Sequence, residues 1–256
     1  MKRLLIAAAA FAALLGGANA QEVRIASEGA YAPWNYIDDA GNLAGFEIDL
    51  GNELCKRAEM DCVWIQNAWD TMIPNLNAGN YDAIMAGMSI TDERKQSIDF
   101  TQNYKPPTPS TFLVPADSTA SFDPPSGLRI GTQGATIQGA YAEQHFKDGN
   151  TLINFETTDQ GLADLNAGNI DAFFIERDFL AEVAAGSNGA LKLAPPEIPI
   201  GDGVGVGLRK TDDAIETKFN DAITAMKKDG SLSALIVQWF PEQGPGPYYA
   251  EEAAAN

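Results

Sequence analysis

The sequence predicts an α/β protein of two similar lobes, and three features of the chain carry that prediction. The first is an internal repeat. Leu76-Asn77-Ala78-Gly79-Asn80-Tyr81-Asp82-Ala83 recurs as Leu165-Asn166-Ala167-Gly168-Asn169-Ile170-Asp171-Ala172, with seven identities in eight positions. The second is a weaker echo, Val23-Arg24-Ile25-Ala26-Ser27-Glu28-Gly29-Ala30 against Leu128-Arg129-Ile130-Gly131-Thr132-Gln133-Gly134-Ala135. The third is a pair of stretches that deny the chain a helix between the halves. One is Tyr104-Lys105-Pro106-Pro107-Thr108-Pro109-Ser110-Thr111-Phe112, where prolines favour an extended path. The other is Pro199-Ile200-Gly201-Asp202-Gly203-Val204-Gly205-Val206-Gly207.

Taken in order, the chain begins with residues that read as a targeting segment. Lys2 and Arg3 precede an apolar run over residues 4–15, and Ala18-Asn19-Ala20 has the small-x-small form of a cleavage site. Residues 1–20 are therefore expected to be a signal peptide, with Gln21 as the mature start. The apolar run is too short to span a bilayer, and no later segment reaches the roughly 18 apolar residues that a spanning helix needs. No cysteine stands directly after the cleavage site, so no lipid tether is implied, and the expected location is the periplasm. The mature chain then offers the same order of elements twice. Residues 23–27 and 128–132 read as strands, each running into a small-residue loop. A helical pattern follows, marked by Trp69, Met72, Ile73 and Leu76 in the first half and by Leu162 and Leu165 in the second. Gly79 and Gly168 stand where a helix C-cap glycine belongs. Short apolar runs, Ala83-Ile84-Met85-Ala86 and Ala172-Phe173-Phe174-Ile175, then read as buried strands. This repeated order is that of a parallel α/β sheet. Residues 213–226 and 231–240 read as two helices broken at Gly230, and residues 244–256 as a flexible tail.

Composition excludes more than it proves. The 17 basic residues fall to 15 once Lys2 and Arg3 are removed, against 35 acidic ones, a formal charge of −20. Such a chain lacks the basic surface that nucleic acid requires. Acidity mildly concentrates cationic ligands, although solubility explains it equally well. Cys55 and Cys62 are the only cysteines, and an exported chain makes a disulfide the expected pairing. With His145 as the only histidine, two thiols cannot complete a typical zinc site. The spacing is not C-x-x-C either. Neither metal nor cofactor is expected. The repeat also makes equivalent positions informative: Gly87 and Glu176 fall at the same place, just past a strand's C-terminal end, where ligands bind in open α/β sheets.

Four stretches resemble one family. They are Tyr31-Ala32-Pro33-Trp34, the run Gly45-Phe46-Glu47-Ile48-Asp49-Leu50-Gly51-Asn52-Glu53-Leu54-Cys55-Lys56-Arg57, then Met88-Ser89-Ile90-Thr91-Asp92-Glu93-Arg94, and Gly201-Asp202-Gly203-Val204-Gly205-Val206-Gly207-Leu208-Arg209-Lys210. Together they are similar to the polar amino-acid family of periplasmic solute-binding proteins, nearest the lysine/arginine/ornithine, histidine and opine binders of ABC transporters. The resemblance implies a type II periplasmic-binding fold of two α/β lobes joined by a two-strand hinge. Lobe 1 would hold residues 21–105 plus 204–243 and lobe 2 residues 106–203. It also implies a disulfide spaced like Cys55–Cys62, a membrane permease as partner and a monomeric carrier.

The resemblance assigns the site residue by residue. Arg94 matches a carboxylate clamp, for which a planar guanidinium is suited by its two parallel donors; outside that motif it would read as an exposed helix arginine. Ser89 and Thr136 match hydroxyl or backbone donors to the same carboxylate, and either could also cap a helix. Glu176 stands where the family has an aspartate that accepts an α-ammonium, one methylene longer here. Glu28 matches an acidic position near the ligand's distal end. Tyr31 and Trp69 match an aromatic pair on either side of the ligand side chain, each worth about 0.5–2 kcal/mol toward a cation. Asp49 is expected to support the site from behind. Ala86 and Gly87 depart from the serines common in lysine/arginine binders, which removes hydroxyl donors and leaves room for an opine. Two rival classes remain: a dehydratase-like enzyme on the same fold with Glu176 as general acid, and a sensor domain that reports ligand to a receptor.

Overall fold

The computed structural model describes residues 22–241 and Tyr249. The expected signal peptide, the boundary at residue 243 and the tail, apart from Tyr249, lie outside these residues. The first lobe opens with β1 (Glu22–Ser27), whose inner side chains Val23, Ile25 and Ala26 are buried. A three-stranded ribbon follows, β2 (Ala30–Tyr31), β3 (Asn35–Ile37) and β4 (Leu43–Ala44). Helix α1 (Phe46–Arg57) carries Glu47 and Asp49 in its first turn and Lys56 and Arg57 in its last, matching the helix dipole. Then come β5 (Asp61–Gln66), a 3₁₀ turn at Trp69–Thr71 leading into α2 (Met72–Asn77), β6 (Ala83–Ile84), the short α3 (Asp92–Lys95) and β7 (Asp99–Phe100). The second lobe holds β8 (Ser110–Pro115), β9 (Arg129–Gln133), α4 (Ile137–His145), β10 (Thr151–Phe155), α5 (Thr158–Asn166), β11 (Ala172–Glu176), α6 (Arg177–Gly186) and β12 (Leu191–Ile198). The chain then returns to the first lobe as β13 (Gly207–Leu208), α7 (Asp213–Asp229) and α8 (Ser231–Trp239).

Each lobe is centred on a five-stranded sheet, in the orders β5-β1-β6-β13-β7 and β10-β9-β11-β8-β12. The repeat therefore folds as two equivalent parallel triples, β5-β1-β6 and β10-β9-β11. The sheets are not wholly parallel as expected. β13 runs antiparallel to β6 and β7, and β8 antiparallel to β11 and β12. Both exceptions enter from the other lobe, so no crossover helix constrains their direction. The mixed α/β, two-lobed architecture is that of the type II fold.

The repeat also reproduces one polar contact. In lobe 1, Arg24 N and Nε donate to Asp82 Oδ2 at 3.1 and 2.9 Å, and Nη2 to Oδ1 at 2.8 Å. In lobe 2, Arg129 N and Nε donate to Asp171 Oδ2 at 2.7 and 3.2 Å, and Nη2 to Oδ1 at 2.6 Å. Each clamp pins the start of the outgoing strand to the turn before its parallel neighbour. Cys55 and Cys62 are bonded to each other, tying α1 to β5. Closing so short a loop stabilises the lobe by about 2–3 kcal/mol in the chain-entropy model.

The two crossings lie side by side, with Lys105 and Val204 forming an antiparallel bridge. Lys105 is buried and donates to Asp178, on the first turn of α6, and to Thr108 Oγ1 at 3.3 Å. Thr108 Oγ1 in turn donates to Asp178 Oδ2 at 2.8 Å. The ammonium lies 5.0 Å from the ring centre of Trp34 and 4.8 Å from that of Phe240. A buried charge so enclosed is tolerated because it is both paired and hydrogen-bonded.

Candidate functional site

The C-terminal ends of the parallel strands of the two lobes face one another across a cleft. Glu28, Tyr31, Trp69, Ala86, Gly87, Ser89, Arg94, Thr136 and Glu176 all line it. Strand ends deliver most of them: Glu28 directly follows β1, Ala86 and Gly87 follow β6, and Glu176 ends β11. The lobes touch around the cleft. Thr158 Oγ1 donates to Ala30 O at 2.7 Å, and Gln133 Nε2 to Glu28 Oε1 at 2.8 Å.

Arg94 forms the cationic end. Thr91 caps α3 by accepting from Arg94 N at 3.2 Å, which fixes the helix turn that carries the guanidinium. Nη1 donates to Ser89 O at 2.8 Å and Nη2 to Ala135 O in the other lobe at 3.4 Å. Trp69 lies beneath, its ring centre 5.3 Å from Cζ. Burial lowers the guanidinium to about 10, the nearby Glu93 opposing, so it stays charged at neutral pH. Ser89 Oγ makes no hydrogen bond among the described residues. The hydroxyl proton of Thr136 is committed, donated to Gln133 O at 2.7 Å, while its oxygen accepts from Gly139 N at 3.0 Å as the cap of α4. What Thr136 offers the cleft is backbone N–H at the start of α4, a favourable place for an anion. Ala135, just before it, is held at φ +54°, the left-handed region that costs a residue with a Cβ about 1 kcal/mol or more. That turn aims its carbonyl at Arg94.

Two carboxyl groups oppose the single guanidinium. Glu176 caps α6, accepting from Phe179 N at 3.2 Å, and Tyr31 Oη donates to the same Oε2 at 3.4 Å. Burial, joined by repulsion from Asp178, raises its carboxyl to about 8. Glu28 is buried and its carboxyl is raised to about 7, chiefly by burial, with the Gln133 bond working the other way. Both acids are therefore poised to lose a proton if a cation is placed beside them. Tyr31 stacks on Phe179 of the second lobe, ring centres 4.4 Å apart and 14° from parallel. One face of Tyr31 is thus already occupied by protein.

The family of the chain follows from sequence comparison over nearly its whole length. The model of the bacterial extracellular solute-binding proteins, family 3, matches residues 23–242. The chain belongs to this family. Within it, the chain is 34% identical over 248 residues to the histidine-binding periplasmic protein of Escherichia coli K12, covering 91% of each chain. It is 33% identical over 250 residues to the lysine/arginine/ornithine-binding periplasmic protein of the same strain, again covering 91% of each. A solved structure of a periplasmic His/Glu/Gln/Arg/opine family-binding protein from Silicibacter pomeroyi, in complex with lysine, superposes with a TM-score of 0.81. It is 47% identical and covers 88% of this chain and 100% of that one.

Against this family 3 scaffold, one expectation is corrected. Asp49 does not support the site: it is exposed on the outer face of α1, where Oδ2 accepts from Trp239 Nε1 at 3.0 Å. Residues two positions apart on a helix lie about 200° apart around its axis, and Glu47 is the acid that faces inward. Glu47 is fully buried. Its Oε1 accepts from Gly87 N at 2.7 Å and from Tyr104 Oη, and its Oε2 accepts from Asn35 Nδ2 at 2.8 Å. Asn35 Oδ1 accepts from Gly29 N at 2.8 Å. One carboxylate thus sets two ligand-side loops and the approach to the hinge. Gly87 has φ +63°, and a Cβ there would sit 3.4 Å from the Tyr31 ring. The expected room beside Ala86 and Gly87 is therefore bounded by Tyr31. Trp34, Gln133, Ile137, Gln138, Ile175 and Val204 also line the cleft and escaped sequence reasoning. For Gln133 a signal existed, since it is the repeat equivalent of Glu28. No helix among the described residues is long and apolar enough to cross a membrane.

Proposed function

We propose that this protein captures a cationic amino acid in the periplasm by closure of its two lobes and delivers it, as a monomer, to the membrane permease of an ABC importer. The observation that carries the reading is the charge pattern of the cleft: one guanidinium at one end and two carboxyl groups contributed by opposite lobes, the buried Glu28 and the half-buried Glu176. That set complements a ligand with one carboxylate and two cationic groups. The α-carboxylate pairs with Arg94, the Ser89 hydroxyl and the amides at the start of α4. The α-ammonium pairs with Glu176, whose Oε2 already accepts from Phe179 N and Tyr31 Oη. The side chain runs past Tyr31 and Trp69, and its terminal cation meets Glu28. Names of relatives that bind histidine or lysine, arginine and ornithine support this class. Contacts better made in the closed form are what shift the lobes toward closure.

An opine brings a second carboxylate, and Arg94 is the only cationic side chain lining the cleft among the described residues. A single amino acid therefore fits the charge count better. An enzymatic role for Glu176 is less favoured, because its carboxyl is used as a helix cap. Refolded, ligand-free protein should melt higher with arginine, lysine or ornithine, by the equivalent of about 2.7 kcal/mol at 100 times the dissociation constant. Octopine and nopaline are expected to give smaller shifts. Stabilisation by neutral or acidic amino acids alone would remove Glu28 as a charge selector. No shift with any of them, together with turnover of a prephenate-like dianion, would move the assignment to an enzyme.

A further inference from the structure

Glu28 and Gln133 occupy the same position in the two copies of the repeat, one residue past Ser27 in the first and past Thr132 in the second. The fold brings these equivalent strand ends face to face. Gln133 is buried, and its Nε2 makes two bonds: 2.8 Å to Glu28 Oε1 across the cleft and 3.1 Å to Glu156 O within its own lobe. The second bond fixes the amide. Turned over, it would set Oε1 against a carbonyl and a carboxylate. Gln133 Oε1 accepts no hydrogen bond among the described residues, and Glu28 Oε2 accepts none either, so two acceptors from opposite lobes stand at the distal end of the site.

We infer that Gln133 is a specificity-determining residue, which orients the Glu28 carboxylate from the opposite lobe and so makes selection of a cationic side chain part of lobe closure. The inference rests on the cationic amino-acid reading and deepens it. Because the bond spans the cleft, it exists only when the lobes meet. A donor on a carboxylate is worth more when that carboxylate is ionised, and a cationic tail demands ionisation where a neutral one does not. Gln133 therefore favours a charged tail over an isosteric neutral tail, beyond what Glu28 achieves alone.

Arginine and citrulline supply the test, since they share shape and differ in charge at the distal end. Calorimetric titration of the wild-type protein sets their ratio of affinities. Gln133→Leu should lower that ratio by about tenfold, the worth of a hydrogen bond to a charged group, with citrulline affinity changed less than about threefold. In a Glu28→Gln background the same change should leave the ratio unmoved, because its action runs through Glu28. Should the leucine variant fail to fold, Gln133→Asn keeps the amide but withdraws it by one methylene, and it should move the ratio in the same direction. An unchanged ratio, whether both affinities fall together or neither does, overturns the inference while leaving the amino-acid reading intact. Wild-type protein that binds neither ligand overturns both, and shows this before any variant is compared.

Discussion

The two lobes are built on one repeated unit, and comparing them separates what the scaffold supplies from what single side chains add. Each lobe carries three parallel strands, the same helix-to-strand turn and the same arginine–aspartate clamp. At the ligand-facing strand ends they diverge in complementary fashion. After β1 lobe 1 has an acid, Glu28, where lobe 2 has the amide Gln133. In the second pair lobe 1 has Gly87 where lobe 2 has Glu176. The acids therefore stand at different positions of the repeat and on opposite walls of the cleft. A duplicated backbone decides where a side chain can stand, and exchanging acid for neutral residue between copies decides what is recognised.

The largest expected effect removes an element that lobe 2 lacks. Arg94→Ala should weaken binding of arginine by about a thousandfold, because the ligand carboxylate then lies buried against Glu176 without its cation. Isothermal titration checks this, and a loss below tenfold would place the carboxylate elsewhere.

Next comes pH, which reads the two acids together. Both carboxyls are raised where the lobes meet, Glu28 to about 7 and Glu176 to about 8, from the 4.5 of a free glutamate. Raised acids contribute stability that is complete below pH 4.5 and lost as pH climbs through 7 and 8. A cationic ligand recovers it by holding both ionised, so binding releases protons. Affinity for arginine should rise by about five-hundredfold from pH 6 to pH 8, with proton release visible as buffer-dependent heats. A flat profile would show that the acids do not meet cations.

Exchanging each acid in turn sharpens the contrast between the walls. Glu176→Gln should weaken every α-amino acid alike, by about thirtyfold, whereas Glu28→Gln should weaken arginine by a similar factor and spare citrulline. Equal responses from the two variants would mean that the acids do not divide the ligand between them.

The smallest effects belong to the clamps. In lobe 1 a second guanidinium joins, Arg209 Nη2 reaching Asp82 Oδ1 at 2.9 Å, and the Asp82 side chain is 16% exposed against 34% for Asp171. Burial alone would raise the Asp82 carboxyl, but the bonds from Arg24 and Arg209 outweigh it and hold it near 2. Asp82→Ala should cost about 2 kcal/mol in urea unfolding and Asp171→Ala about 1 kcal/mol. The reverse order would mean that Arg209 adds nothing.

Much of this was legible before the fold was known. The repeat foretold the parallel triples, since identical turn chemistry and apolar runs impose the same local structure twice. It also placed Gly87 and Glu176 at facing strand ends. Asp49 was not distinguishable from Glu47 by residue type, because both are acids in one helical turn. What separates them is the rotation of α1 against Trp34 and Tyr104, a tertiary matter. The stacking of Tyr31 on Phe179 was likewise invisible, as it joins residues that only the closed lobes bring together. The antiparallel entry of β8 and β13 depended on which lobe the chain was leaving, which local sequence does not encode.

The ion pair of Lys105 and Asp178 has a mechanical consequence. Its ammonium is wedged between aromatic rings of one lobe and a carboxylate of the other. Drawing Asp178 away would strand a buried charge at a cost of about 3–5 kcal/mol. A ligand must nevertheless enter and leave. The cheapest rotation is one whose axis runs through this pair, so that the jaws swing apart at their rims while the pivot pin stays seated.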